Sequence, residues 1–362
     1  MNTTNYKKDA QDKPVGRRRS CLGCLGRGAI GLVIFLVIAM VAGSIYQAAA
    51  SASDLKKYPP PGELYDVGDY RLHLYCTGAG SPTVILEAGA GLPALTWYLV
   101  QKEVGGFARV CSYDRPGFGW SDTASGPLSP AQVAADLHKL LELADVSGPY
   151  ILVGHSVGGF YVRAYASQYP SEVAGLILVE AVHEDQDVRY PPEFVKLSSN
   201  TSAMMPFCQI TETFGWMRAL KSYDALVPGN LLPPDVGEAA QSTLYRADYC
   251  KAVANEAKAV ASFRAQPNLP RSLGDLPLIV LSAGIPADEG YAQLGKVMRS
   301  IISREIFAKV HEANQDMQQD LVSLSTQGKQ VIATESGHLI QYDQPDLVID
   351  AIRSMVEQLR SK

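Results

Sequence analysis

Residues 150 to 158 read Tyr-Ile-Leu-Val-Gly-His-Ser-Val-Gly, an apolar strand-like run leading into a serine with glycine two positions before and two after it. This spacing suits a nucleophile elbow, a strained strand-to-helix turn that lifts a hydroxyl clear of a sheet. A Cβ at either flanking position would collide with nearby backbone, so Gly154 and Gly158 are the types the turn demands. The turn also aims the first free N–H groups of the following helix at the place where an oxyanion would form. Ser156 is therefore the candidate nucleophile, with Gly159-Phe160-Tyr161-Val162-Arg163 opening the helix behind it. The competing reading is a glycine-rich structural turn.

A serine hydroxyl needs a base to become a nucleophile. Of the six histidines, His338 is best placed. It lies in Ser336-Gly337-His338, after the apolar run Val331-Ile332-Ala333 and before an amphipathic helix expected from about Pro345 to Leu359. The loop after the last strand of a parallel sheet shares the carboxyl-end rim with an elbow, and ligands bind at that rim in open α/β sheets. His73 falls in an early alternating strand, His138 on a helix surface and His311 in a charged helix, so these three read as structural. His155 should point away from the site, and His183 could line it.

Taken in order, these motifs resemble the α/β-hydrolase fold superfamily, of the serine esterase, lipase and aminopeptidase-like kind with a helical cap. The resemblance runs from about Gly62 to the C-terminus. Asp114-Arg115-Pro116-Gly117-Phe118-Gly119-Trp120-Ser121 is similar to the family's D-x-x-G-x-G-x-S loop. Thr83 to Gly91 stands where the family has a strand followed by a His-Gly oxyanion turn, with Ala88 in place of the histidine. That departure leaves backbone donors intact. By resemblance the oxyanion hole is formed by the amides of Ala90 and Val157, each such donor contributing roughly 3 kcal/mol of transition-state stabilisation. The resemblance implies an acyl-enzyme and no metal or organic cofactor.

Two positions compete for the acid that would orient His338. Family members that place it after the strand here reading Leu276 to Ala283 would make it Asp288, although Ala287 occupies the usual glycine-x-x-aspartate position. Members that place it one strand earlier would make it Glu180, which ends the apolar run Leu176-Ile177-Leu178-Val179, 24 residues past the serine. Glu180 is the preferred reading and Asp288 the alternative.

Bringing these residues to one rim requires a sheet. A hairpin-like start over Leu64–Val67 and Arg71–Cys76 is followed by expected strands at 83–87, 108–113, 149–153, 174–180, 276–284 and 330–334. Helices expected at about 95–104, 129–144 and 157–168 alternate with them. The fold class is therefore α/β, a mostly parallel eight-stranded sheet flanked by helices. From His183 to Leu273 the strand pattern stops. That stretch, with Met204, Met205, Phe207, Phe214, Trp216 and Met217, reads as an inserted helical cap, most of these side chains being expected in its own core. The expected organisation is a basic cytoplasmic tail over 1–28, a transmembrane helix over 29–46 and a linker over 47–61. The hydrolase core then occupies 62–182 and 274–362, with the cap at 183–273.

Residues 29 to 45 carry no charge and as a helix would span about 26 Å, close to the thickness of a bilayer's hydrocarbon core. Seven Lys and Arg against two Asp precede them, which predicts a cytoplasmic N-terminus and an extracytoplasmic catalytic domain. The rival reading is a signal peptide cleaved near Ala48-Ala49-Ala50, releasing a secreted enzyme. The net charge of −5, with +5 in the tail, leaves −10 on the rest and argues against nucleic acid as a partner.

Cys21 and Cys24 have C-x-x-C spacing but no second pair or fitting histidine, so zinc is not expected; beside a membrane they are candidates for lipid attachment. Cys76 and Cys111 fall on strands and read as buried small residues, whereas Cys208 and Cys250, both in the cap, are expected to form a disulfide. The chain is thus expected to be a membrane-anchored serine hydrolase cleaving a carboxylic ester, its partners a small-molecule ester or amide and the membrane. An aminopeptidase-like or amidase activity is one alternative. A non-catalytic binding or sensor protein on the same scaffold is another.

Overall fold

Four strands of this chain are apolar at consecutive positions, the pattern of a sheet covered on both faces. A computed structural model describes residues 21–203, 205–228, 231–264 and 272–361. Met204 and the first twenty residues, which hold most of the basic tail, lie outside the described residues.

After a long first helix, α1 (Cys21–Lys57), come β1 (Glu63–Asp66), β2 (Arg71–Thr77), β3 (Thr83–Glu87), α2 (Tyr98–Val104), β4 (Val110–Tyr113) and α3 (Pro130–Leu143). The elbow joins β5 (Tyr150–His155) to α4 (Gly158–Gln168), and β6 (Val173–Val179) follows. Helices α5 (Gln186–Arg189), α6 (Pro192–Ala203), α7 (Met205–Thr213), α8 (Trp216–Ala219), α9 (Pro234–Leu244) and α10 (Tyr249–Arg264) make up the cap. The chain returns through β7 (Leu278–Ala283), α11 (Ala287–Gln293), α12 (Lys296–Ile301), α13 (Arg304–Val322) and β8 (Gly328–Ala333), and ends in α14 (Ile340–Asp343) and α15 (Pro345–Arg360).

The eight strands lie in the order β1-β2-β4-β3-β5-β6-β7-β8, parallel from β4 onward and antiparallel where β2 meets β1 and β4. Alternate residues of each central strand serve opposite layers. Val84, Leu86, Ile151, Val153, Ile177 and Val179 pack with Val100 and Val104 of α2 and with Ile352 and Met355 of α15. Ile85, Leu152, Leu176 and Leu178 pack with Leu137 and Leu140 of α3 and with Phe160 and Tyr165 of α4. Burying each such aliphatic side chain stabilises the fold by about 1.5–3 kcal/mol over leaving it exposed.

The D-x-x-G-x-G-x-S loop is a hydrogen-bonded clasp. The Asp114 carboxylate accepts from Nδ1–H of His73 at 2.7 Å and from the amides of Ala94 and Trp120 at 2.6 and 3.0 Å. The His73 tautomer follows from its Nε2, which accepts from the Gly62 amide. Gly119, at φ 52°, lies so close to this carboxylate that a Cβ would overlap it.

Residues 47–57, expected as a linker, instead continue α1. Their alanine-rich composition favours helix, and the cap supplies partners for one face. Gln47 is buried and donates to the Tyr245 carbonyl at 2.6 Å; Arg218 bridges to Asp54 and donates to Ser51; Lys57 pairs with Glu238 at 3.0 Å. The stretch from Gly26 to Lys57 is long and apolar enough to cross a membrane, by length and composition.

No strand occurs among the described residues of the cap. Its interior is built from Tyr223, Val227, Leu232, Leu244, Tyr245 and Tyr249, whereas Phe207 and Trp216, expected inside, are exposed. Cys208 and Cys250 are bridged as expected. Cys76 and Cys111, expected as unlinked core residues, are bridged as well. The antiparallel register of β2 on β4 sets them directly opposite each other with Cα atoms 4.0 Å apart. Peptide mapping without reductant is expected to recover both linkages. Replacing Cys208 and Cys250 together by serine should cost about 4 kcal/mol on the loop-entropy account, read as an earlier urea midpoint.

Candidate active site

Ser156 holds a left-handed backbone with φ 54°, which a non-glycine residue adopts only where its surroundings enforce it. Its amide donates to the Val179 carbonyl, and its own carbonyl accepts from Gly159 and Val182, so the turn is clamped to β6 and the segment after it. A Cβ on Gly154 would stand 2.6 Å from the Gly158 carbonyl oxygen, and one on Gly158 would stand 2.6 Å from that of Glu87. The backbone packing that exposes the hydroxyl therefore excludes any side chain at both positions.

His338 sits on the loop after β8, and its Nε2 is 3.1 Å from Ser156 Oγ. The side chain is open at its surface but deeply set, and desolvation by the enclosing protein lowers its pKa to about 4. The neutral ring, able to accept the serine proton, is thus the resting form at neutral pH. His155, expected to point away from the site, packs against His338, with the ring centres 4.9 Å apart. Its Nε2–H donates to the His338 carbonyl at 2.9 Å while its Nδ1 accepts from the Gln341 amide at 3.3 Å. Burial, with the neighbouring His338 adding to it, lowers the pKa of His155 to about 3. His183 is buried just beyond β6, its Nδ1 accepting from the Asp185 amide.

The turn after β3 is shaped by a buried charge cluster. The Arg115 guanidinium donates to Glu87 and the Ala88 carbonyl through Nη1, at 2.6 and 2.7 Å, and to the Gly89 carbonyl through Nη2 at 2.7 Å. Its Nε–H reaches Glu256 of α10 at 2.8 Å, and the second oxygen of Glu256 accepts from the Gly91 amide at 2.8 Å. In a trans peptide the carbonyl and the next N–H point in opposite directions. Drawing the Gly89 carbonyl inward therefore turns the Ala90 N–H outward. The Ala90 and Val157 amides make no hydrogen bond among the described residues, leaving both available to an oxyanion. Burial opposes the charge on Arg115, but Glu256 and Glu87 raise its pKa well above the ordinary value; burial pushes Glu87 up to about 7.

The two candidate acids occupy different environments. Asp288 lies on α11 with its side chain 78% exposed and paired with Arg304 at 3.2 Å. Glu180 follows β6 directly, buried, at φ 44°, and burial raises its pKa. Its carboxylate accepts from the Ala283 amide at 2.6 Å and from the Asn314 side chain of α13, and no hydrogen bond joins it to His338. Helices α11 to α13 account for the long excursion between Asp288 and His338.

Sequence reasoning missed Arg115, Glu87 and Glu256. For Arg115 a signal existed, a second charged residue directly behind Asp114 at the end of a buried strand. Glu256 gave none, since a glutamate on a helix ordinarily marks a solvated face. No group of three or more residues suited to holding a metal ion occurs among the described residues.

The profile of the alpha/beta hydrolase family matches residues 84–351, well over half of the chain. The chain belongs to that family. Among curated relatives of the chain, an uncharacterized protein of Schizosaccharomyces pombe is 38% identical over 151 residues, which is 33% of this chain and 28% of that one. An uncharacterized vacuolar membrane protein of Saccharomyces cerevisiae is 31% identical over 134 residues, 32% of this chain and 21% of its own length. The chain thus spans less than a third of either relative. A solved thermophilic esterase from Thermogutta terrifontis is similar with a TM-score of 0.54 at 24% identity, over 81% of this chain and 94% of the esterase, a likeness of fold.

Removing the cation should be costly. Arg115→Met is expected to destabilise the protein by about 3–5 kcal/mol, because it leaves two buried carboxylates without their partner. Urea unfolding of the variant checks this, and a change within about 1 kcal/mol would contradict the charge cluster.

Proposed function

We propose that this hydrolase is a serine enzyme that cleaves a carboxylic ester through an acyl-enzyme while anchored to a membrane by α1. The observation that carries the reading is the 3.1 Å contact of His338 Nε2 with Ser156 Oγ, at an elbow flanked by two unused amides. Ser156 Oγ bonds to the ester carbonyl carbon as its proton passes to His338 Nε2, and the charge that develops on the carbonyl oxygen is met by the Ala90 and Val157 amides. The C–O bond to the leaving group then breaks, and His338 returns the proton to the departing alkoxide. A water molecule repeats the sequence on the acyl-enzyme and releases the acid. The reading needs no metal or organic cofactor. An ester is favoured over a substrate carrying an ammonium group, because the cap carboxylate that reaches the oxyanion turn, Glu256, is already paired with Arg115.

Glu180 is the acid we assign. Its burial beside the elbow and the solvent exposure of Asp288 support that choice. Anchoring is supported by the exposed apolar side chains of α1 from Ile30 to Ile45 and by the contact of Gln47 with the cap, which cleavage near Ala48–Ala50 would sever. A relative named for a vacuolar membrane is in keeping with it. The cations ahead of the span favour a cytoplasmic N-terminus and an extracytoplasmic catalytic domain.

Labelling of the full-length protein with a fluorophosphonate tests the chemistry. Ser156→Ala should abolish labelling, Glu180→Gln should slow it at least about tenfold, and Asp288→Asn should leave it within about twofold. A folded wild type that does not label would overturn the reading in favour of a binding scaffold. The pH dependence is a second check. Because the lowered pKa of His338 keeps the base neutral down to about 4, the labelling rate at pH 5.5 should stay near that at pH 7.5. A histidine of ordinary pKa, about 6.5, would retain roughly a tenth of it.

A further inference from the structure

The apolar run of α1 and the cap overlap. Along the helix, Met40, Gly43, Gln47, Ser51 and Asp54 recur at helical spacing and are half-buried or buried, while the residues between them are mostly exposed. The shielded stripe begins inside the apolar run. At Gly43 a Cβ would run into the backbone carbonyl of Phe214, and the Tyr46 ring approaches the place of a Gly215 Cβ to 3.0 Å. Gly43 is two residues before Ile45, about 3 Å along the helix axis from the end of the run. Any bilayer that covers residues 29 to 45 therefore reaches the corner between α7 and α8.

That corner is built for it. Phe207 and Ile210 fall at i and i+3 on α7, with Phe214 at i+7 just past its end, while Glu212 on the opposite side is buried in the cap, where it accepts from the Cys250 amide. Phe207, Ile210, Trp216 and Leu220 are all exposed large apolar side chains, and the Trp216 ring lies 6.0 Å from that of Phe214. Lys221 follows directly, also exposed. Amphipathic segments that lie in a membrane surface combine an apolar face sunk about 5–10 Å with aromatic and basic residues at headgroup level.

We propose that the α7–α8 corner of the cap is seated in the lipid bilayer that α1 crosses, with Phe207, Ile210, Trp216 and Leu220 in the boundary between headgroups and acyl chains. The occupant is the membrane, and the continuity of this patch with the apolar run of α1 identifies it. The proposal rests on the reading of α1 as a membrane span. It makes the cap a second point of attachment, so that the hydrolase domain lies against the membrane and does not hang free of it.

The tryptophans supply the test. Of the three in the chain, Trp97 and Trp120 are 0% and 6% exposed and Trp216 is 41% exposed. Full-length protein is reconstituted into phosphatidylcholine vesicles with and without brominated acyl chains, and tryptophan emission is compared. Bromolipid should quench part of the wild-type emission, and that quenched part should be lost in Trp216→Phe and reduced in Phe207→Ser combined with Ile210→Ser. A Leu36→Trp variant reports on the span itself. Quenching of Leu36→Trp without any quenching of Trp216 would overturn the seating of the cap and leave the anchor intact. Absence of quenching at both would overturn the anchor and the seating with it.

Discussion

The buried guanidinium of Arg115 is the interaction on which the rest of the site depends. It meets the end of β3 through Glu87, the turn after β3 through two carbonyls and the cap through Glu256, with the rings of Phe118 and Tyr161 5.4 and 5.2 Å from its centre. A cation in such a place is tolerated only because its donors find acceptors and two carboxylates offset its charge; alone it would incur a desolvation penalty of several kcal/mol. The cluster holds the Ala88 and Gly89 carbonyls and the Gly91 amide, and so fixes the peptide planes of the turn.

The same ion ties the cap to the chemistry. Glu256 lies on α10, so the helix that covers the turn also holds the Gly91 amide and thereby helps set which N–H groups of the turn remain free. On its far side the cap is fixed to α1 through Arg218, which spans Gln47, Ser51, Asp54 and the Tyr245 carbonyl. The cap is thus held between the core and the first helix, with one arginine prominent on each side.

What could be read in advance was what depends on backbone packing. Gly154 and Gly158 are legible because no other residue fits the elbow, and the consecutive Val, Ile and Leu of the central strands are legible because both faces of the sheet are covered. His338 could be found because the loop after β8 leaves the same carboxyl-end rim of the parallel sheet as the elbow. The acid was ambiguous because either strand end is compatible with local pattern, and only the folded chain exposes Asp288 and buries Glu180. Arg115 and Glu256 escaped because they are 141 residues apart and nothing local in the sequence records that they meet. The Cys76–Cys111 bridge escaped for a related reason: it depends on the register of β2 against β4. The continuation of α1 past Tyr46 escaped because its polar stripe reads as a linker until the cap is beside it.

The neutrality of His155 has a consequence for the reaction's charge balance. In the proposed acyl transfer His338 becomes an imidazolium, and the centre of the His155 ring lies only 4.9 Å away. A second cation at that distance would oppose each proton transfer. Buried and held in one tautomer by Gln341 and the His338 carbonyl, His155 braces the base from close range while remaining electrically silent. Two imidazoles can therefore stand side by side at this elbow with only one of them ever carrying the proton.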